Sequence, residues 1–150
     1  MGADKHEGSL VSVGYEGRDA DGLIAHLKQL GVSVVVDVRL NAISRKRGLS
    51  KTALREGLGR AGIDYVHLRA LGNPRENREG FRSGSPAARR RFLRTLTSTD
   101  GSTALDELTD LAADRVVAVL CFEAEHDTCH RACVIEAVQE RRPGFAAIRA

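Results

Sequence analysis

The stretch from Val32 to Val38 restricts the fold of this 150-residue chain more than any other feature. It consists of valines, interrupted only by Ser33 and Asp37. A nearly continuous β-branched run predicts a strand that is buried on both faces, as in the middle of a parallel sheet. Parallel strands need long crossover connections, so helices are expected between them.

Strand and helix patterns alternate along the rest of the chain. The predicted strands are 10–14, 32–38, 65–68, 115–122 and 144–148; the predicted helices are 19–30, 50–61 (capped by Ser50), 86–97, 105–113 and 129–141. A basic loop over 39–49 and a long polar loop over 69–85 complete the pattern. We therefore expect a single three-layer α/β domain over residues 9–150, with a mostly parallel sheet of four to five strands and helices on both faces. Residues 1–8 are expected to form a flexible tail.

Composition excludes several classes of protein. Hydrophobic residues make up 42% and charged residues 29% of the chain, which is typical of a globular protein and not of a disordered one. No apolar run approaches the roughly 18 residues of a membrane span, so no membrane partner is expected. The polar N-terminus lacks the apolar middle of a signal peptide, which favours the cytoplasm. Three cysteines are too few for a disulfide scaffold.

Charge is unevenly distributed. Residues 39–94 hold 15 Lys and Arg against 4 Asp and Glu, whereas the rest holds 8 against 16. Such a basic block favours an anionic partner: a nucleic acid, a nucleotide or a phosphorylated small molecule. The alternative is that these side chains cover solvated helix faces. The pattern does not indicate an oligomeric state.

Reactive side chains follow the predicted strands. Ligands of parallel sheets bind beyond the carboxyl ends of the strands. The residues at that edge are Tyr15 after the first strand, Asp37 and Arg39 after the second, His67 after the third, Cys121 and Glu123 after the fourth, and Cys129, His130 and Arg131 at the next helix. Their convergence predicts a site at this edge.

Asp37 and Glu123 are the candidate acid–base groups. A carboxylate at a buried edge needs a partner, so Asp37 could act as a base or form a structural ion pair with Arg39, Arg45 or Arg131. Glu123 could act as acid or base, or could cap a helix or pair with an arginine. Together the two carboxylates would suit glycosidic chemistry.

Cys129, His130 and Arg131 lie near a predicted helix N-terminus, where backbone N–H groups and the helix dipole favour anions and thiolates. Cys129 could be a nucleophile, and Arg131 a bidentate anion clamp. His67 or His130 could donate or relay a proton near neutral pH. The alternative for Cys129 is a small buried side chain.

A metal site is a further hypothesis for residues 121–133. Five potential ligands lie within thirteen residues: Cys121, His126, Cys129, His130 and Cys133. No Cys-x-x-Cys pair is present and the usual zinc spacing is not met, so we expect neither a metal nor a cofactor. A cysteine-based redox or metal-linked protein using Cys121 and Cys129 stays a weaker alternative.

Five ordered motifs resemble a known family. They are Gly14-Tyr15-Glu16-Gly17; Val36-Asp37-Val38-Arg39-Leu40-Asn41 with Ile43-Ser44-Arg45-Lys46; Tyr65-Val66-His67-Leu68; Leu71-Gly72-Asn73-Pro74; and Cys121-Phe122-Glu123 with Cys129-His130-Arg131. In this order, over residues 10–140, they closely resemble domain-of-unknown-function family 488. The resemblance implies a small cytoplasmic α/β domain without implying a reaction.

The family's recurrent positions map onto Gly14, Asp37, Arg39, Ser44, Arg45, His67, Gly72, Cys121, Glu123, Cys129, His130 and Arg131. The chain departs from the family pattern at four places. Ala42 and Arg47 stand where the family tends to have proline, and Ala132 stands where it tends to have serine. Cys133 does not belong to the pattern.

We therefore expect an enzyme that acts on a nucleotide or nucleic acid, by hydrolysis or cleavage of a glycosidic bond. The expected catalytic residues are Glu123, Asp37, His67, Cys129 and His130, and the expected substrate- or phosphate-binding residues are Tyr15, Arg39, Ser44, Arg45 and Arg131. The alternative is a non-catalytic module that binds nucleic acid or a phosphorylated ligand, which needs the arginines and not the carboxylates.

Overall fold

The computed structural model describes residues 9–150, and the tail predicted over 1–8 lies outside the described residues. The strands are β1 (Ser9–Gly14), β2 (Val34–Asp37), β3 (Asp64–His67), β4 (Val116–Cys121) and β5 (Ala146–Arg149). The helices are α1 (Ala20–Gln29), α2 (Lys51–Arg60), α3 (Arg75–Arg82), α4 (Pro86–Thr97), α5 (Thr99–Ala112) and α6 (Arg131–Arg141). A short 3-10 turn covers Arg69–Leu71.

The strands form one sheet in the order β3-β2-β4-β1-β5. Every neighbouring pair is parallel. The valine-rich β2 lies between β3 and β4 and is buried along its whole length, as its β-branched run predicts. The predicted parallel α/β sheet is confirmed.

Helices cover both faces of the sheet. Leu23 and Leu27 of α1 and Leu54 and Leu58 of α2 pack on one face. The buried side chains of α3, α4, α5 and α6 pack on the other, where Phe92 is among the largest that are fully buried. The predicted three-layer arrangement is therefore confirmed.

The order of the strands brings three carboxyl ends together. The chain passes outward from β1 to β2 and β3 with α1 and α2 on one face, then returns through α3, α4 and α5 to place β4 between β2 and β1. Right-handed crossovers require these opposite directions to use opposite faces. Gly14 at the end of β1 is consequently in register with Cys121 of β4, and Asp37 of β2 with Leu120.

Four local predictions were wrong. Helix α5 begins at Thr99, whereas the sequence predicted a start at 105. The polar loop predicted over 69–85 contains α3, whose buried residues are Asn77 and Phe81. The predicted cap of α2, Ser50, takes the N-cap position, but its hydroxyl donates to the Ser44 carbonyl oxygen at 3.2 Å instead of capping the helix. Helix α6 begins at Arg131, two residues later than predicted. Within residues 9–150, no helix combines the length and apolarity needed to cross a membrane.

Candidate functional site

A cavity of about 340 Å³ opens at the carboxyl ends of β1, β2 and β4. Its volume falls in the range of small-molecule sites. The walls come from the ends of β1 and β4, the 39–49 loop, α3 and the turn before α6. The polar and aromatic lining residues are Tyr15, Arg39, Asn41, Ser44, Arg45, Lys46, Asn73, Arg78, Phe81, Arg82, Cys121, Phe122, Glu123, Thr128, Cys129 and His130.

A buried ion pair supports the floor of this edge. Asp37 is fully buried, and its carboxylate accepts from Arg39 Nη2 at 2.6 Å and Nε at 2.9 Å. The hydroxyl of Tyr65 donates to Asp37 Oδ2 at 2.6 Å. Asp37 therefore forms the ion pair with Arg39 that the sequence analysis gave as the alternative to a catalytic base. Both of its carboxylate oxygens accept hydrogen bonds, and Asp37 does not line the cavity.

The same cluster shifts two pKa values. Burial lowers the pKa of Arg39, but the hydrogen bonds and charge of Asp37, with a smaller contribution from Tyr15, outweigh it and leave the pKa above its ordinary value. Burial, followed by the hydrogen bond and charge of Asp37, raises the pKa of Tyr65. Both shifts favour the forms present at neutral pH, charged Arg39 and neutral Tyr65.

The basic 39–49 loop is held by backbone carbonyls. Arg39 Nη1 donates to the Leu49 carbonyl oxygen at 2.8 Å, and Lys46 Nζ donates to those of Tyr15 and Arg18 at 3.1 and 3.0 Å. The exposed Arg45 lies between these anchors and lines the cavity. The loop thereby presents the Arg45 guanidinium to the cavity.

Helix α3 contributes two more arginines. Arg82 Nη2 lies 3.4 Å from Glu123 Oε1, and Arg78 Nε donates to the Asn73 carbonyl oxygen at 3.3 Å. The Arg82 side chain is 56% exposed, whereas that of Glu123 is 14% exposed. Such a half-exposed pair is weak, so a stronger anion could displace Glu123 from Arg82.

Two thiols and an imidazole meet at the cavity wall. Sγ of Cys121, Sγ of Cys129 and a ring nitrogen of His130 lie within 4.8 Å of one another. Burial opposes ionisation of Cys129, but hydrogen bonds to Cys121 and His130 and the charges of His130 and Arg131 lower its pKa well below the ordinary value. The hydrogen bond to Cys129 and burial raise the pKa of Cys121.

Close backbone packing fixes the position of Glu123. A Cβ on Gly14 would overlap the carbonyl group of Glu123. The ladder between β1 and β4 also continues past the strands, because the Glu16 amide donates to the Phe122 carbonyl oxygen at 2.9 Å. The end of β1 therefore fixes the position of the chain at Glu123, just after β4 ends.

The family model described as "Domain of unknown function DUF488" matches residues 19–138. The chain belongs to the DUF488 family. The match covers β2, β3 and β4 and every cavity-lining residue apart from Tyr15. No curated protein and no solved structure matches this DUF488 chain.

Most predicted site residues of this DUF488 chain surround the cavity: Tyr15, Arg39, Ser44, Arg45, Glu123, Cys129 and His130. Asp37, His67 and Arg131 do not line it. A ring nitrogen of His67, Nε2, donates to the Arg39 carbonyl oxygen at 2.7 Å. Arg131 is fully buried and donates from Nε to Ser12 Oγ at 2.9 Å, while its Nη1 has no hydrogen-bond partner among residues 9–150.

Five polar residues that line the cavity were not predicted as site residues from the sequence: Asn41, Asn73, Arg78, Arg82 and Thr128. The two arginines were missed together with α3. A usable signal was present, since Pro74 precedes the helix and Gly84, at φ 85°, follows it.

The arginine run of α4 behaves differently from that of the loop. Arg89 pairs with Glu136 at 3.0 Å and Arg91 with Glu76 at 3.2 Å. All four side chains are substantially exposed. Neither arginine lines the cavity. These two arginines therefore lie on a solvated helix face, which the sequence analysis gave as the alternative to binding an anion. Exposed ion pairs of this kind contribute little to stability.

Proposed function

We propose that this DUF488 chain is a hydrolytic enzyme that acts on a nucleotide or on nucleic acid. In this proposal Arg45, Arg78 and Arg82 hold a phosphate, and Glu123 is the acid–base group. One observation carries it: Glu123 is the single carboxylate among the lining residues described, in a cavity that four arginines line, of which only Arg39 is held by Asp37.

The arginines suit a phosphate because a guanidinium presents planar, bidentate donors and stays charged. Arg45 and Arg82 are exposed, and within residues 9–150 the Arg82 side chain has only the long contact to Glu123. A phosphate that binds Arg82 would leave Glu123 without its partner. Binding of the substrate would thus free the carboxylate that acts on it.

Two aromatic side chains favour a nucleotide over a simple phosphate ester. The rings of Tyr15 and Phe122 meet edge to face, with centroids 5.5 Å apart. Phe122 is 39% exposed at the cavity, so part of its ring is available to a base or a sugar. Stacking of this kind supports nucleotide binding without selecting a sequence.

Glu123 would take a proton from the attacking water and return it to the leaving group. A glycosidic version of the reaction needs a second carboxylate. Of the residues that the structure describes, Glu123 is the one carboxylate in the cavity lining, and Asp37 is bound to Arg39 and Tyr65. Hydrolysis with one carboxylate is therefore the version we propose.

The cytoplasm is the proposed location. Cys121, Cys129 and Cys133 are free and buried. Free thiols persist in reducing compartments, of which the cytoplasm is the main one.

Binding is tested by fluorescence anisotropy with labelled mononucleotides and short single-stranded oligonucleotides over a salt series. We expect affinity to fall linearly with salt on a log–log scale, and Arg82→Ala to weaken binding and reduce the slope by about one phosphate contact. Arg60→Ala is the matched control, because Arg60 is exposed at the far end of α2. Equal loss in both variants, or no binding at low salt, contradicts the proposal.

Turnover is tested with Glu123→Gln on whichever nucleotide binds. The enzyme proposal predicts loss of product with binding retained. If the wild type binds but forms no product and Glu123→Gln changes nothing, the chain is the non-catalytic module instead.

A further inference from the structure

The cluster formed by Cys121, Cys129 and His130 has the composition of a metal site. All three residues are nine-tenths or more buried, and all three line the cavity. Two sulfurs and one imidazole nitrogen form a donor set that zinc takes in proteins. The fold brings them together from two places, since Cys121 ends β4 and the other two precede α6.

The spacing within the cluster suits tetrahedral coordination. Sγ of Cys129 lies 3.6 Å from Nδ1 of His130. With bonds of about 2.3 Å to sulfur and about 2.0 Å to nitrogen, a tetrahedral zinc ion holds such a pair about 3.5 Å apart. The two ligand atoms therefore need almost no movement to share an ion.

The imidazole of His130 is already oriented for a ligand. Its Nε2 lies 2.8 Å from the Val38 carbonyl oxygen. Because a carbonyl oxygen only accepts, Nε2 carries a hydrogen, and in the neutral imidazole the lone pair of Nδ1 then faces Cys129. Metal-binding histidines commonly donate their other ring nitrogen to a backbone carbonyl in this way.

Glu123 stands beside the cluster. Its Oε2 lies 3.7 Å from Cys121 Sγ, on the same cavity. Three protein ligands leave a fourth zinc position open, as in catalytic rather than structural sites. That position would face the cavity, with a carboxylate in reach of a water bound there.

We infer that Cys121, Cys129 and His130 bind one zinc ion, which activates the water that attacks the substrate. The role of the ion rests on the proposed hydrolytic function, whereas its binding does not. Zinc-bound water passes a proton to Glu123, the hydroxide bonds to the electrophilic atom, and the bond to the leaving group breaks. The leaving group then takes the proton from Glu123, so one water is consumed and no electron is transferred.

The site is tested with metal alone, so the result does not depend on a nucleotide. The full chain is stripped with a chelator under a phosphine reductant, then titrated with zinc by calorimetry and with cobalt(II) by absorption spectroscopy. We expect one ion per chain, and a cobalt spectrum with thiolate charge-transfer bands and strong tetrahedral d–d bands. Absence of zinc binding, or a cobalt spectrum without thiolate bands, overturns the inference.

Cys133 supplies the matched control. It is 1% exposed and lies four residues after Cys129, in α6 and outside the cluster. We expect Cys129→Ser and Cys121→Ser to weaken zinc binding at least tenfold and Cys133→Ser to leave it unchanged. Equal affinity in Cys129→Ser, or an equal loss in Cys133→Ser, contradicts the assignment.

A second measurement covers variants that do not fold. In the wild type, bound zinc should slow alkylation of Cys129 by iodoacetamide, read by mass spectrometry, and alkylation at an unchanged rate contradicts the site. Zinc binding without nucleotide binding supports the site and refutes the proposed function. Zinc-independent turnover of a nucleotide supports the proposed function and refutes the role given to the ion.

Discussion

Arg39 Nη2 and Asp37 Oδ2 lie 2.6 Å apart in a pair that is almost completely buried. The remaining donors of Arg39 reach the Tyr15 hydroxyl at 3.3 Å and the Leu49 carbonyl oxygen at 2.8 Å. One guanidinium thus connects the ends of β1 and β2 to the far end of the basic loop. Arg39 lines the cavity and Asp37 does not, so the pair holds this part of the cavity wall in place from behind.

Asp37→Asn should therefore destabilise the whole fold. Loss of one partner leaves a buried charge without compensation, which costs about 3–5 kcal/mol. Urea unfolding at neutral pH measures the change. Glu76→Gln, which breaks the exposed pair with Arg91, is the control and should cost less than about 1 kcal/mol. Similar costs for the two variants would contradict the role given to Asp37.

Tyr65→Phe removes the hydroxyl that donates to Asp37 and should cost about 1.5 kcal/mol at neutral pH. Burial and Asp37 raise the pKa of Tyr65 in the folded state. Its contribution is therefore present below the unfolded value of about 10 and is lost as pH rises through the folded value. The difference in unfolding free energy between wild type and Tyr65→Phe should narrow above about pH 10. A difference that stays constant to pH 11 would refute this.

His126 should titrate below its ordinary value. Burial lowers its pKa, followed by the charges of Arg149 and Arg131, while Asp127 acts in the opposite direction. Its contribution to stability is present above the unfolded value of about 6.5 and is lost as pH falls below that value. Proton NMR of the ring gives the midpoint. Arg149→Gln should move the midpoint upward and Arg60→Ala should not; no difference between them would contradict the assigned cause.

Gly14→Ala should disturb the site through the backbone, because the new Cβ would overlap the carbonyl group of Glu123. Overpacking of this kind costs about 2–3 kcal/mol, and it should reduce nucleotide turnover by displacing Glu123. Gly59→Ala is the control, because Gly59 lies in α2 and a Cβ there meets nothing within 4 Å. Alanine in this helix should increase the free energy of unfolding, by at most about 1 kcal/mol. Urea unfolding and turnover test both variants, and a neutral Gly14→Ala would contradict the packing argument.

The sheet could be predicted because the apolar, β-branched residues of its strands indicate that these strands are buried. The short valine-rich runs of β2 and β4 favour strands that are buried on both faces, and leucines at helical spacing indicate α1 and α2. Helix α3 carries no such pattern, since Asn77 and Phe81 are its only buried residues. The Asn77 amide donates to Asn73 Oδ1 and to the Ala88 carbonyl oxygen, contacts that no periodicity reveals.

The candidate site was predictable only as an edge of the sheet. The carboxyl-end rule brought Tyr15, Glu123 and Cys129 to one place, but the rule does not state which side chains turn away. Asp37 and Arg131 turn into the interior, where Arg39 and Ser12 hold them. Those directions depend on the strand order, which only the folded chain supplies.

Backbone NMR of the zinc-treated chain, titrated with a nucleoside monophosphate, is the most direct test of a nucleotide site in the cavity. We expect amide shift changes confined to the cavity wall: the end of β1, residues 44–46, the last turn of α3 and residues 121–123. The contradicting result is no change at all, or changes grouped at the separate depression bordered by Arg69, Asp100 and Glu107.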